Sequence, residues 1–499
     1  MSISGDGNSG KRRKLDIAEV LRGGGANTLG QQLRLTLQLS MPSIMAQLST
    51  IAMEYIDASM VGSLGASASA SIGIVSTTTW LFWGVGSAVV SGFSVQVAHL
   101  IGADKDDSAR RVVGQAITGI FTMALLLLSV GWAISGSLPI WLGGEADIHA
   151  DASAYFRIFS WGLPVLFMNF LAGSMLRCSG NTLIPGLLNV VMCGLDVLFN
   201  WLLIFPDRTV SVLGHAIDIP GAGLGVRGAA IGTVLAEFVV VCLMMWYLLG
   251  KSRHLSLKRG YINFRLRREV IRKALRISLP MGTEHIIMCS AQIFITLIVA
   301  PLGTAAIAAN AFAITAESLC YTPGFGIADA ATTLVGQTIG AGRRRLTRRF
   351  AHISLGMGVG VMSIMGCLMY VGAPLLMEIF TPVEHVRSLG VEALRIEAFA
   401  EPMYAASIVV YGIFVGAGDT LVPSIMNLVS IWGVRIPLAA WLATTMGLKG
   451  VWIAMCIELC FRGLIFLVRL ARGRWIEKAT KLTQEEIIQF EQPVNKFEL

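Results

Sequence analysis

Apolar runs of about twenty residues or more follow one another along nearly the whole chain, divided by short breaks rich in charge, glycine or proline. A helix rising ~1.5 Å per residue needs about 20 such residues to cross hydrocarbon. Reading the runs between breaks predicts twelve transmembrane helices, near 35–61, 76–102, 112–138, 152–178, 182–205, 224–250, 277–300, 309–340, 350–379, 389–416, 421–445 and 449–470. The ~10-residue alternation of apolar and polar positions that marks an outer-membrane barrel does not occur. The expected fold is an all-α integral membrane protein.

A second regularity lies at an offset of 238 residues. It carries Pro42 onto Pro280, Leu64-Gly65 onto Leu302-Gly303, Ile101-Gly102-Ala103 onto Ile339-Gly340-Ala341 and Arg110-Arg111 onto Arg348-Arg349. Further on it carries Pro164 onto Pro402, Gly180 onto Gly418, Pro185 onto Pro423 and Asn189 onto Asn427. Near 206–222 the offset shifts by 16 residues, after which Gly225-Val226-Arg227-Gly228 meets Gly447-Leu448-Lys449-Gly450. The chain therefore divides into a tail (1–30), a six-helix lobe (31–250), a basic linker (251–276), a second six-helix lobe (277–472) and a C-terminal tail (473–499). Six is even, so both lobes enter the bilayer from the same side. The repeats are parallel, related by an axis along the membrane normal. Two parallel six-helix bundles around a central cleft suit alternating access.

Composition agrees with a membrane class and charge gives it a direction. Only 14% of residues are charged, against roughly 25% in soluble proteins. The net charge of +8 is concentrated in loops. Lys251 to Arg276 holds ten Lys/Arg and one acid, Glu269, and Arg343-Arg344-Arg345 with Arg348-Arg349 forms a second block. With twelve alternating spans these fall on one face together with Lys11-Arg12-Arg13-Lys14 and both tails. By the positive-inside rule that face is cytoplasmic, in an inner or plasma membrane, with both termini inside. A nucleic-acid surface would interleave aromatics with the basic residues throughout, a pattern these loops lack. Residues 1–30 do not read as a cleaved signal, and the eight cysteines lie in apolar segments without a CxxC. No Walker A sequence occurs, which speaks against direct drive by ATP.

Pro42 followed by Asp57, then Val61-Gly62 and Leu64-Gly65, resembles the opening of the multidrug and toxic compound extrusion (MATE) family. So do Pro323-Gly324-Phe325-Gly326 with Ala331-Thr332-Thr333-Leu334-Val335-Gly336-Gln337, Gly416-Ala417-Gly418-Asp419-Thr420 with Pro423, and Arg435-Ile436-Pro437-Leu438. The resemblance spans residues 30–470 or so and implies an efflux antiporter driven by inward Na⁺ or H⁺, exporting small organic compounds. It implies no cofactor beyond that ion. The protein is expected to act as a monomer in the lipid bilayer, with no nucleic-acid partner.

Ionisable side chains inside spans are costly unless paired, neutralised or wet, so they mark candidate sites. Asp57 on the first span, with Asp196 and Asn200 one turn apart on the fifth, forms the foremost cluster. Counting along the helices puts Asp196 and Asn200 ~21 and ~27 Å from the cytoplasmic start, and Asp57 at a matching depth. Thr233 on the sixth span, ~14 Å in from outside, can join them. Carboxylates with amide and hydroxyl oxygens suit a small hard cation, and crowded carboxylates also suit proton uptake. The resemblance likewise assigns a cation site to Asp57, Asp196, Asn200 and Thr233, with Asp57, Asp196 and Asn200 as Na⁺ ligands under sodium coupling. Asp196 stands where many relatives have Asn. Glu54, a turn before Asp57, is a further acid. Pro42 removes a backbone hydrogen bond and lets the first helix bend.

The second lobe carries Ile295 and Val434 where the first has Asp57 and Asp196. Its own candidates for cationic substrate or a second proton are Glu317, Glu284 and Glu401, with Glu458 and Asp329 nearby and Arg395 and Arg435 as neutralising partners. His99 and His285 read as solvated or capping residues near helix ends. Two other functions remain open: a lipid-linked saccharide flippase of the same superfamily, expected to line its groove with arginine or lysine, and a membrane-embedded enzyme, expected to pair a nucleophile with a base.

Overall fold

The structure is a computed structural model that describes residues 28–212, 215–256 and 264–491, together with Ile17 and Val20. Lys11–Lys14 of the predicted tail, 257–263 of the linker and 492–499 lie outside the described residues.

The first half holds α1 (Leu29–Gly62), α2 (Ala66–Gly102), α3 (Asp106–Ile134), α4 (His149–Cys178), α5 (Leu183–Ile204) and α6 (Val226–Gly250). The second holds α7 (Arg268–Val299), α8 (Thr304–Gly340), α9 (Arg344–Phe380), α10 (Glu384–Glu397), α11 (Glu401–Gly416), α12 (Leu421–Ser430) and α13 (Ile436–Arg472), followed by α14 (Arg474–Glu491). Thr28 starts α1 with a capping box to Gln31, satisfying two otherwise orphaned backbone donors.

Among the described residues eight helices are long and apolar enough to cross a membrane, and α10 with α11, bent by 60°, makes a ninth span. The 52-residue stretch Leu421–Arg472, one of the eight, is broken at Gly447, whose left-handed φ of 62° only glycine adopts cheaply. It is therefore two spans. Helices α1 and α8, of 34 and 37 residues, complete the twelve. Their mean hydropathy is low because they bury polar side chains inside the protein: Gln32, Thr36, Ser40 and Ser43 on α1, and Glu317, Thr322, Thr333, Gln337 and Thr338 on α8.

The 16-residue shift in the repeat is an antiparallel hairpin, β1 (Pro206–Val212) with β2 (His215–Ala222), between α5 and α6. It is the one departure from an all-α chain among the described residues. A second difference concerns 473–499, expected as a tail. Residues Arg474–Glu491 form a helix with one apolar stripe, burying Trp475, Ile476, Ala479 and Ile487 against the bundle.

The halves meet along α1 with α8 and, symmetrically, α2 with α7. Hydrogen bonds join them along the seam: Tyr55 Oη donates to the Thr315 carbonyl at 2.7 Å toward one end, and a further group lies at the end bearing the linker and the Arg343–Arg349 block, here termed the basic end. There Gln337 Nε2 donates to the Cys178 carbonyl at 2.7 Å, Thr333 Oγ1 to the Arg177 carbonyl at 3.3 Å, and His99 Nε2 meets the Gly416 carbonyl at 2.9 Å. Leu35 and Leu39 of α1 pack there with Ala330 and Leu334 of α8, Phe350 of α9, Ile17 and Val20. His99 is 1% exposed, so it is a buried bridge between the halves and not the solvated residue its position suggested.

Candidate functional site

Asp196 and Asn200 sit one turn apart on α5 and both are fully buried. Helix α1 passes alongside and brings in Asp57, half-buried. The Asn200 amide is the hinge of the group: Nδ2 donates to Asp57 Oδ1 at 2.8 Å and to Asp196 Oδ2 at 3.0 Å. The shared amide holds the Asp57 and Asp196 carboxyl groups side by side. Two carboxylates this close repel unless a proton or cation is shared between them. Asp196 Oδ1 and Asn200 Oδ1 are buried with no hydrogen-bond partner. Such orphaned oxygens cost about 1–3 kcal/mol each, and they are the donor set a small hard cation accepts.

Helix α6 approaches this group closely because Gly232 has no side chain; a Cβ there would lie 2.0 Å from Asn200 Oδ1. Thr233, its neighbour, donates to the Ala229 carbonyl at 3.2 Å and stands against Asp196. Glu54 is exposed and stands outside the hydrogen-bonded group. Pro42 lies within an unbroken α1, and Gly186 of α5 packs against its carbonyl.

The sequence reading missed Glu237. It sits one turn beyond Thr233 on α6 and is half-buried. The signal was available: an acid four residues from a proposed site threonine, inside an apolar run.

In the second half, Glu458 of α13 is an internal ion pair. It accepts from Ser430 at 2.6 Å, from Arg435 Nε at 3.1 Å and from Arg462 Nε and Nη2 at 2.8 Å each. Around this clamp stand Glu317 of α8 and, across the α10–α11 bend, Glu397 and Glu401, all buried. Both carboxylate oxygens of Glu397 and of Glu401 lack partners. Glu397 and Arg462 were not singled out from sequence; at the repeat-related positions of Glu397 and Glu401 stand Phe159 and Leu163, so the repeat itself pointed at the pair. Arg395 does not neutralise these acids. It is exposed, with its guanidinium 5.5 Å from the Tyr370 ring centroid. Glu284 is held elsewhere, accepting from Tyr411 at 2.8 Å and from Asn427 at 2.5 Å. Among the described residues no group of three or more His, Cys, Asp or Glu side chains is arranged to hold a metal ion.

The family profile described as MatE matches residues 42–202 and again 280–441, two matches that begin 238 residues apart. The chain belongs to the MATE family of transporters. It is 26% identical over 462 residues to a protein of Thermotoga maritima named probable multidrug resistance protein NorM, covering 90% of this chain and 94% of that one. Among solved structures, a variant of the Vibrio cholerae MATE transporter VcmN superposes with a TM-score of 0.82 at 19% identity, over 91% of this chain and 99% of that one. A multidrug resistance MATE transporter of the MOP superfamily, solved in an outward-facing conformation, gives 0.83 at 20% identity, over 93% and 100%. The protein is thus a multi-pass membrane transporter of this fold.

Proposed function

We propose that this MATE protein is a secondary antiporter that exports amphipathic, mainly cationic organic compounds in exchange for inward H⁺ or Na⁺. The observation that carries the reading is the Asn200 amide holding Asp57 and Asp196 together while one oxygen of Asp196 and one of Asn200 remain unpartnered. A proton or Na⁺ bound among these oxygens removes the repulsion between the carboxylates and draws α1 toward α5. Loss of the ion separates them, and α1 bends at Pro42, where the backbone lacks one hydrogen bond. The lobes 31–250 and 277–472 rock about their α1–α8 and α2–α7 contacts, in a membrane whose cytoplasmic side is the basic end, with both termini there. Glu317, Glu397 and Glu401 supply the negative surface for a cationic substrate or a second proton, while Glu458 stays committed to its arginines.

Efflux from proteoliposomes under separately imposed Na⁺ and pH gradients tests the proposal. One gradient should drive export, and Asp57→Asn should reduce driven export to the leak rate with the protein still folded. Export that ignores both gradients, or an Asp57→Asn variant that transports normally, would refute it.

A further inference from the structure

Arg395 of α10 carries a charge that the protein does not answer. Among the described residues it makes no ion pair and no hydrogen bond; its guanidinium sits over the Tyr370 ring, 5.5 Å from the centroid. The other cations nearby are paired. Arg387, two turns earlier on α10, meets Glu384 and, at 3.8 Å, Glu378. Lys449, just past the break at Gly447, meets Glu392 at 2.5 Å. These pairs form a charged rim at the end opposite the basic end, where α9 stops at Phe380 and α10 starts at Glu384. Arg395 lies eight residues beyond Arg387, ~12 Å further toward the membrane interior.

Arg395 lines a groove of about 930 Å³ between α9, α10 and α13, and every residue lining it belongs to the second half. The apolar walls come from Tyr370 and Pro374 of α9, Phe399 at the α10–α11 bend, and Ile453 and Ile457 of α13. Phe399 is 71% exposed, and Leu375 and Ile379, beside Pro374 on α9, are 64% and 73% exposed. The groove therefore opens to hydrocarbon and not to the cleft between the halves. A bare guanidinium is costly there, because acyl chains offer it no acceptor.

The repeat carries the same residues with one difference. At the 238-residue offset Arg395 falls on Arg157, Tyr370 on Trp132 and Phe399 on Trp161, and after the 16-residue shift Lys449 falls on Arg227. Trp132 and Trp161 are exposed, as their mates are. In the first half Arg157 Nε donates to Ser135 Oγ at 3.2 Å. The mate of Ser135 is Ala373, which has no hydroxyl to offer. The second half keeps the charge and lacks the protein partner.

We infer that this groove binds a phospholipid of the leaflet opposite the basic end, with Arg395 bonding its phosphate and the apolar walls holding its acyl chain. A planar guanidinium resting on an aromatic ring still presents parallel N–H donors to two phosphate oxygens. Helical side chains lean toward the N-terminus of their helix, which for α10 is the rim, so the long arginine reaches up to meet a head group settling into the groove. A free anion would leave the apolar walls unused. A membrane-anchored amphiphile with a phosphate matches both features.

Native mass spectrometry of the full-length protein in detergent, titrated with phosphatidylglycerol, tests the site. Arg395→Gln should bind the lipid roughly 10- to 100-fold more weakly than the unaltered protein, the range expected for loss of a charge-assisted hydrogen bond. Tyr370→Leu, which takes the ring from beneath the guanidinium, should weaken binding in the same direction, and Arg157→Gln should leave it unchanged. Added phosphatidylglycerol should raise the melting temperature of the unaltered protein more than that of Arg395→Gln. Equal lipid affinity in Arg395→Gln and the unaltered protein overturns the inference. So does equal retention of a diacylglycerol, which lacks the phosphate, or displacement of the lipid by inorganic phosphate, which would make a free anion the occupant. A dimer that Arg395→Gln dissolves would place a second copy in the groove and would overturn it too. None of these readouts needs a substrate or an ion gradient, so they stand apart from the antiport reading.

Discussion

Asn200 and Glu458 show two ways of keeping charge inside a membrane. Glu458 is fully satisfied, with two guanidinium groups and a hydroxyl on one carboxylate. Such a group is structural, because any other occupant would have to displace three donors. Replacing it by Gln takes from Arg435 and Arg462 the carboxylate that both of them bond. Breaking one side of a buried pair costs about 3–5 kcal/mol, so Glu458→Gln should lower the melting temperature in detergent well below that of Glu54→Gln, whose side chain is exposed. Asp57 and Asp196 are the opposite case, two carboxyls sharing one amide with oxygens to spare. This first cluster was legible in the sequence because its geometry is local: an i, i+4 pair on one helix and an acid at matching depth on another. Glu397 was less legible because its neighbours Glu317, Arg435 and Glu458 come from three other segments, and only packing brings them together.

Helices and their ends were readable wherever the apolar pattern is continuous. The break at Gly447 falls between the predicted spans 421–445 and 449–470, whereas the 60° bend between α10 and α11 lies inside the predicted span 389–416, where the apolar run gave no sign of it. The two elements that escaped are those without a continuous apolar run. Helix α14 has charged residues on most of its surface, so it reads as a tail until α8, α9, α11 and α13 form a floor for its apolar stripe. The hairpin β1–β2 appeared only as a 16-residue slip in the repeat. Its dispensability follows from the second half, which makes the equivalent reversal at Gly447 with no hairpin, the Leu442 carbonyl packing directly against Gly450. Replacing residues 207–221 by a short glycine-containing loop should therefore leave a monodisperse protein by size-exclusion chromatography with unaltered efflux. Loss of either would assign the hairpin a role in the outer opening.

At the scale of the whole molecule, closure of the basic end depends on two backbones touching. A Cβ at Gly340 of α8 would lie 2.0 Å from the carbonyl oxygen of His99 on α2, and a Cβ at Gly102 of α2 would lie 2.0 Å from the carbonyl oxygen of Gln337 on α8. Gly102 and Gly340 are repeat mates at the 238-residue offset, so the seam is sealed by the same contact made twice, once from each half. The obstacle in both cases is main chain, which cannot turn aside as a flexible side chain would. A methyl at either position forces α2 and α8 apart, and overpacking of this kind costs roughly 1–3 kcal/mol. The cost falls only on the closed arrangement, so Gly102→Ala and Gly340→Ala should each lower the closed population about 5- to 150-fold relative to the open one. Because the two contacts lie on one surface, the double variant should exceed either single change without reaching the sum of the two. Spin labels placed across the seam at the starts of α3 and α9 would report longer distances in all three variants, with efflux falling in the same order. Unchanged distances would show that the seam tolerates the methyl groups and that closure is set elsewhere.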